Sequence, residues 1–310
     1  MANTTASAFQ AAITFTIQST VLKNLRNDLL WANPQWAEQG RFDAASDMLT
    51  FLKFPDLSSS TPQTPLTEGT APTARAITMT SVSVSTAQYG DLVNITDLAK
   101  VKGPRDVVGI ASERVSRTFA EVADTITRDN IFLGGTAFYQ SGDTTRSGLA
   151  STDLLLAADL QRLRATMKVN NVPLPSDGFY RLILSINQAY DLMTETTASS
   201  AWVPISQYTS RVDQVFKGEL GTLHGFRIME SDTAPTFSST TTVYAGIALG
   251  AIKGWGAGEL QSFRTYHIAP GGDHSDPLAQ IEQVGWKVNF GVAPLNNGYY
   301  YRVETAATAL

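Results

Sequence analysis

Four short, glycine-punctuated blocks constrain the fold of this chain more than any other feature of its sequence. They begin at residues 64, 88, 218 and 275 and read TPLTEGTAP, QYGDLVNITD, GELGTLHGFRIMES and SDPLAQIEQVGWKVNFGVAPLNNGYYYRVE. Glycine, proline and asparagine placed between β-branched and aromatic runs are typical of strands joined by tight turns. None of the blocks contains a catalytic constellation, so we expect them to specify geometry rather than chemistry.

The composition favours self-association over catalysis or nucleic-acid recognition. Hydrophobic residues make up 43% of the 310 residues, which is ordinary, but charged residues make up only 16%, below the usual quarter. A surface rich in Ser and Thr leaves little repulsion between copies. The net charge is −5, and no Lys/Arg cluster is of the kind that neutralises phosphates. We therefore expect no sequence-specific nucleic-acid binding, although an acidic wall could still enclose nucleic acid.

The sequence also limits the cell compartment in which we expect the protein and the covalent bonds that it can form. The chain has no cysteine, which excludes disulfides and thiolate metal sites. No basic residue precedes Lys23, so the N-terminus lacks the charged region of a secretory signal. No apolar run reaches the roughly 18 residues that a membrane span needs. We expect a protein that is made and kept in a cytoplasm and has no membrane partner.

Residues 1–47 are predicted to contain a helix after a Thr/Ala-rich start. Leu22, Leu25 and Leu29 recur at helical spacing, and Pro34 should end that helix. Two interpretations remain open at this point. The helix either docks on the core of its own subunit or forms an arm that packs on a neighbouring copy.

Residues 48–102 are predicted to form a long two-stranded excursion with a polar tip. MLTFLKF, from residue 48, has the character of a strand, and the stretch DLSSSTPQTPLTEGTAPTAR that follows has too little apolar content to pack a core. Ile77, Met79, Val82 and Val84 then alternate with Ser and Thr, and the alternation changes phase near Ser81, which predicts a bulge or bend. A loop of this length within a domain is either functional or disordered.

Two helices are predicted in the middle of the chain. The first opens at Gly103-Pro104 and closes at Gly134-Gly135, with a single apolar stripe of residues three or four apart (Val108, Ala111, Val115, Phe119, Val122, Ile126). Its solvent faces are predicted to carry charge pairs four residues apart (Glu113–Arg117, Arg117–Glu121, Asp124–Arg128). The second begins at the N-cap cluster Ser151-Thr152-Asp153, with Leu156, Leu160, Leu163 and Met167 as its stripe.

The remaining third is predicted to be mainly strands. FYRLILS is a buried strand and INQAYDLMTE a short helix, while residues 218–231 form a strand, a tight turn and a returning strand. TTVYAGIALGAIKG is a further apolar strand. The last two strands, IEQVGWKVNFGVA and GYYYRVET, are joined by the turn signal at residues 294–298.

No residue pattern carries the signature of an enzyme. His274 lies beside Asp273 and Asp276, and these three residues are weak candidates for a surface metal site. They lack the fixed ligand spacing of an HExxH motif, so a polar loop is the favoured interpretation. The chain also has no G-x-S-x-G nucleophile elbow and no phosphate-binding loop. We predict no catalytic residue, no metal and no cofactor.

The order of the four blocks resembles the major capsid proteins of tailed bacteriophages, in the branch typified by podovirus coat proteins. The resemblance covers most of the chain from about residue 48. It lies in Leu66, Glu68, Gly69, Pro72, Gln88, Tyr89, Gly90, Ile95, Asp97, Gly218, Glu219, Gly221, Gly225, Arg227, Ser231, Pro277, Gly285, Trp286, Lys287 and Leu295. In one departure, Ser185-Ile186-Asn187 stands where such proteins often show His-Pro after the central strand.

The resemblance implies the α+β Johnson fold. Its expected parts are an N-terminal arm (1–47), an extended β-hairpin loop (48–102), a peripheral domain with a long spine helix (103–150), an axial domain (151–278) and a C-terminal sheet of the peripheral domain (279–310). Intersubunit contacts are implied at Leu66, Glu68, Gly69, Pro72 and Tyr89.

The same resemblance implies a shell protein that assembles in a host cytoplasm. Its expected product is an icosahedral head of pentamers and hexamers that encloses double-stranded DNA, with scaffolding and portal proteins as partners. Two alternatives remain open. An encapsulin-type nanocompartment shares the fold and would hold enzymes rather than DNA. A secreted β-rich adhesin or hydrolase belongs to another class and should show a signal peptide or an active-site motif.

Overall fold

The computed structural model describes residues 30–32, 37–41, 48–54, 68–69, 76–102, 106–195, 203–204, 219–251, 254–272, 276 and 278–309. The strands are β1 (Ala37–Arg41), β2 (Met48–Lys53), β3 (Thr80–Ser85), β4 (Ala87–Thr96), β5 (Thr136–Tyr139), β6 (Tyr180–Ser185), β7 (Val203–Pro204), β8 (Glu219–Leu223), β9 (Phe226–Ser231), β10 (Thr236–Ser238), β11 (Thr242–Leu249), β12 (Trp255–Ile268), β13 (Ile281–Pro294) and β14 (Tyr300–Thr305). The helices are α1 (Asp97–Lys102), α2 (Val107–Leu133), α3 (Ala157–Val169) and α4 (Ile186–Thr194). Of the helices in these ranges, none has the length and apolarity to cross a membrane.

The strands form three sheets, and the α+β class is confirmed. A four-stranded sheet has the order β1-β12-β13-β4. An eight-stranded sheet has the order β5-β14-β11-β6-β9-β8-β7, with β10 beside β11, and β2 pairs with β3 in a separate hairpin. Parallel and antiparallel pairs are mixed in the two larger sheets.

The eight-stranded sheet contains the largest core. Its central strand β6 is apolar on both faces, as expected of a strand covered on both sides. The stripe of α3 that packs in the same core includes Leu160, Leu163 and Met167, as predicted. However, α3 begins at Ala157 rather than near residue 151, and Leu156 is exposed. Asp159, in the first turn, accepts the N–H of Leu156 at 3.2 Å and closes this end of the helix.

The turn after β6 departs from the pattern of the resembled family, and the structure shows what replaces it. Ser185 is the N-cap of α4, and its Oγ accepts the N–H of Gln188 at 3.2 Å. The Gln188 side-chain oxygen in turn accepts the N–H of Ser185 at 3.3 Å. This reciprocal pair is a capping box, so a serine starts the helix here.

The four-stranded sheet is covered by α2, and the predicted stripe of this helix is confirmed. Ala111, Val115 and Phe119 are buried against Trp286 and its neighbours in β13. The Phe119 ring lies 4.8 Å from the Trp286 ring between centroids, edge to face. The predicted closing of the helix at Gly134-Gly135 is also confirmed, because Leu133 is the last helical residue.

The predicted start of α2 and one of its charge pairs are wrong. The helix begins at Val107 because Asp106 caps it, accepting the N–H of Gly109 at 3.1 Å. Arg117 pairs with Glu121 at 3.2 Å on the exposed face, as predicted. Asp124, by contrast, is buried, and Arg128 forms its ion pair with Asp129 at 2.7 Å.

Two predicted strand pairings also need correction. The excursion is two-stranded only between β2 and β3, since β4 leaves the hairpin and pairs along its whole length with β13. The bulge or bend predicted near Ser81 is wrong, because the β2–β3 register is regular through Ser81. The strand is interrupted at Thr86 instead, between β3 and β4. The last two strands, predicted to belong to one C-terminal sheet, lie in different sheets, since β13 is in the four-stranded sheet and β14 in the eight-stranded sheet. The predicted boundary at residue 278 therefore does not separate the sheets.

Candidate assembly surface

The hairpin of β2 and β3 is docked on the four-stranded sheet by one face. Leu49 and Val84 are buried there, paired across the two strands, with Leu260 and Ala293 beneath them. Gly256 and Gly291 make room for this contact. A Cβ at Gly256 would lie 2.5 Å from the Phe51 ring, and one at Gly291 would lie 2.5 Å from the Ser85 carbonyl oxygen. Side chains at these two positions would lift the hairpin from the sheet.

The other face of the hairpin is apolar and open. Met48, Leu52, Phe54, Ile77 and Met79 are between 50% and 69% exposed. Leu52 pairs with Ser81, and the β2–β3 register continued by two residues sets Phe54 opposite Met79. Contiguous exposed apolar side chains on a soluble subunit are typical of a surface that binds another protein. We call this set of five residues the outer face of the hairpin.

The predicted intersubunit residues fall in two places. Glu68 and Gly69 form an exposed turn, whereas Leu66 and Pro72 lie outside the described residues. Tyr89 is in β4, half-buried, and its ring packs on Phe290 of the same subunit at 5.2 Å between centroids. Contacts of these residues with a neighbouring copy stay a prediction.

A buried carboxylate joins the N-terminal part of the chain to α2. One oxygen of Asp124 accepts the backbone N–H groups of Leu30, Trp31 and Ala32 at 3.0, 2.7 and 2.9 Å. Burial raises the pKa of Asp124, and the three N–H donors oppose that rise. The Trp31 indole N–H points at the hydroxyls of Ser231 and Thr233, at 3.2 and 3.1 Å. The predicted helix that precedes this anchor lies outside the described residues.

A second buried acid links α1 to the four-stranded sheet. Glu282 is buried in β13, and its carboxylate contacts the Lys100 ammonium and the His267 imidazole. Burial lowers the pKa of His267, and the nearby Lys100 charge lowers it further. Because the ammonium already balances the carboxylate, a second cation on His267 is unfavourable. The imidazole is therefore held neutral between the strands.

The residues weighed as metal ligands do not form a described cluster. Asp276 is buried, and its carboxylate accepts the N–H of Ile281 at 2.7 Å, which closes the loop before β13. Asp273 and His274 lie outside the described residues. Within the described ranges, no three His, Cys, Asp or Glu side chains stand close enough to hold a metal ion.

Comparisons with known proteins agree with this geometry. A family model described as phage capsid protein matches residues 79–303. The capsid of Ralstonia phage GP4 is similar in structure, with a TM-score of 0.70 and 14% identity over 88% of this chain and 86% of that chain. The capsid of cyanophage Pam1 is similar with a TM-score of 0.65 and 16% identity, over 91% of this chain and 93% of that chain. The capsid of cyanophage P-SCSP1u is similar with a TM-score of 0.64 and 17% identity, over 88% of this chain and 87% of that chain. At such identities the structural likeness shows the fold alone, and no curated protein sequence matches the chain.

Proposed function

Because the chain belongs to the phage capsid protein family, whose model spans residues 79–303, we propose how this major capsid protein joins its neighbours in the shell. The subunit has the Johnson fold and a structural role in a virion capsid. The open alternatives, a nanocompartment and a secreted adhesin or hydrolase, are not favoured by the family match. In our proposal, the hairpin of β2 and β3 is the intersubunit clamp.

The observation that carries this proposal is the contrast between the two faces of the hairpin. One face is buried on its own subunit through Leu49 and Val84, and the outer face keeps five large apolar side chains exposed. Burying such side chains contributes about 25 cal/mol for each Å² removed from water. In a shell, every subunit has neighbouring copies of the same chain, and we propose that one of them covers this face. The Glu68-Gly69 turn, at the far end of the excursion, reaches that neighbour.

In our proposal, the five expected parts of the fold are kept, but β4, β12 and β14 each change part. Residues 1–47 are the arm, the extended loop runs from β2 to β3, and α2 is the spine helix. The peripheral domain is α2 with β4, β12 and β13, and β1 of the arm adds a fourth strand to its sheet. The axial domain is the eight-stranded sheet, including β14. The two domains are joined by a shared apolar cluster in which Trp255 of β12 meets Tyr300 of β14 at 5.7 Å.

The assembled form we propose is an icosahedral head of pentamers and hexamers that encloses double-stranded DNA. The low charged fraction of the chain supports close packing of copies. Scaffolding and portal proteins are the further partners, and assembly takes place in the host cytoplasm. Catalysis has no part in this function.

Deletion of residues 58–76 tests the clamp. These residues are rich in Ser, Thr and Pro, so they bury little apolar area within the subunit. We expect a soluble subunit with a nearly unchanged melting temperature that no longer forms stable shells by negative-stain microscopy. A deletion variant that aggregates or unfolds as a monomer would place the segment in the subunit core. Shells of normal stability would remove the intersubunit role of this segment and leave the outer face, which the deletion keeps, as the only part of the clamp.

A further inference from the structure

A cavity on the surface of the eight-stranded sheet region is lined by positive and hydrogen-bonding groups. It has a volume of about 370 Å³ and lies between α3 and the turn that joins β8 to β9. Its lining consists of Gln161, Arg164, Ala165, Lys168 and His224. The four α3 residues recur at helical spacing, so they share one face of the helix. The cavity falls in the size range of small-ligand sites, which begins near 300 Å³.

Within the described residues, the positive charges of this cavity have no ionic partner. No carboxylate of these residues lines the cavity, and neither Arg164 nor Lys168 forms an ion pair with any of them. The nearest acid along α3 is Asp159, which pairs with Arg162 at 3.4 Å instead. The whole chain has a net charge of −5. Two unpaired cations that converge on one cavity are thus a local exception in an acidic protein.

The turn between β8 and β9 brings an imidazole to the cavity. His224 and Gly225 have φ of +47° and +86°, as in a two-residue hairpin turn with both central residues left-handed. Asn-Gly is the favoured sequence for that turn, and histidine, like asparagine, is enriched among non-glycine residues with positive φ. The His224 imidazole lies 3.2 Å from the Gln161 side-chain amide. A Cβ at Gly225 would lie 2.8 Å from the Arg164 guanidinium carbon, so the glycine lets that guanidinium pack on the turn.

We propose that this cavity binds a phosphate group, held by Arg164, Lys168, His224 and Gln161. Four separate polar groups surround the space, and a phosphate offers several acceptor oxygens to them whereas a side-chain carboxylate offers two. The favourable interaction of Lys168 with the C-terminal end of α3 explains Lys168 alone and leaves Arg164 and the histidine unexplained. A single phosphate site of this kind does not distinguish one nucleotide sequence from another. The phosphate is either free or part of a nucleic-acid backbone.

Titration calorimetry on the full-length subunit tests the proposal. The probes are inorganic phosphate, a short oligothymidylate and acetate, each at matched ionic strength with NaCl. The Arg164→Gln/Lys168→Gln double variant removes both charges and keeps the length of the side chains. His224→Asn suits the turn and removes the imidazole. Arg114→Gln is the matched control, because Arg114 is an exposed helical arginine on α2.

We expect inorganic phosphate to bind the wild-type subunit and the Arg114→Gln control equally. The double variant should bind it at least about tenfold more weakly. His224→Asn should weaken binding by a smaller factor while the melting temperature stays the same or rises. Saturation by phosphate supports a free ion as the source, and saturation by the oligothymidylate alone supports a nucleic-acid backbone. Binding that the double variant leaves unchanged, or acetate binding as strong as that of phosphate, would overturn the proposal.

Discussion

The eight-stranded sheet and the β2–β3 hairpin contain the same types of apolar residue, but the sheet buries them and the hairpin leaves many of them exposed. In the sheet, the apolar side chains of β6, β9 and β11 are covered by α3, α4 and neighbouring strands, and Phe226 has no exposed surface. In the hairpin, half of the apolar side chains are covered and Phe54 is 62% exposed. The sheet is complete within one subunit. In our proposal, a second copy of the chain covers the exposed side of the hairpin.

This difference shows where folding ends and assembly begins in the molecule. A fully packed core determines the stability of the isolated chain, because its contacts exist before any partner arrives. In our proposal, the half-covered hairpin contributes to the stability of the shell instead. The same substitution should therefore have different consequences in the two regions.

The largest expected difference in the free energy of unfolding is between two Phe→Ala substitutions, one in each region. Phe226→Ala should lower the free energy of unfolding of the subunit by about 3–5 kcal/mol, because the ring is fully buried beside Tyr180. Phe54→Ala should lower it by less than about 0.5 kcal/mol, because most of that ring is already in water. Urea unfolding of the two variants measures both values. Equal losses would mean that the hairpin is part of the subunit core.

A smaller effect is expected where the packed region holds the N-terminal part of the chain. Asp124→Ala leaves one buried and two partly buried N–H groups without this acceptor and should cost about 2 kcal/mol. Asp124→Asn keeps an oxygen for the same donors and should cost less than half as much. Thermal unfolding of both variants compares them. A deficit of the same size in Asp124→Asn would show that the charge, rather than the acceptor oxygen, holds the anchor.

A pH-dependent effect is expected between the two central strands of the four-stranded sheet, and it should be smaller again. The pKa of His267 in the folded subunit is below its ordinary value of 6.5, so the unfolded chain binds the proton more readily. The contribution of His267 to stability is complete above about pH 6.5 and is lost as the pH falls toward the lowered pKa. Glu282 and Lys100 are the charged groups that face the imidazole.

Unfolding midpoints from pH 7.5 to 5 check this sign. The wild-type subunit should lose stability across that range, and His267→Gln should lose less. A steeper loss in His267→Gln would mean that protonation of the imidazole stabilises the folded subunit.

Sequence periodicity predicts the parts of the fold that depend on local pattern. The α2 stripe through Phe119, the strand β6 and the hairpin turn at His224-Gly225 all follow from spacing and turn chemistry. Each depends on residues close together in the chain. The strand β4 was assigned correctly as a strand, but its partner was not, because pairing is decided by contacts far apart in sequence.

The features that sequence reasoning missed are buried polar ones. Asp124 sits four residues before Arg128, which is the spacing of a surface ion pair, and nothing local shows that Trp31 covers it. In the sequence, Glu282 is one polar residue of an alternating strand, and only the structure shows that Lys100 and His267 contact it. The outer face of the hairpin was missed for a related reason. Leu52 is an ordinary strand residue and Met79 directly precedes β3, and their exposure is visible only once Leu49 and Val84 are seen to take the buried side.

The smallest effect on the subunit and the most direct test of the account come from the outer face itself. Leu52→Thr with Met79→Thr replaces exposed apolar side chains by a residue that favours strands, so the subunit should unfold within about 0.5 kcal/mol of wild type. Leu49→Thr, on the buried face of the same strand, is the matched control and should destabilise the subunit. Assembly of the Leu52→Thr/Met79→Thr variant is then followed by light scattering and electron microscopy. The account predicts a stable subunit that builds few or no closed shells. Shells formed in normal yield and with normal stability by this variant would contradict it.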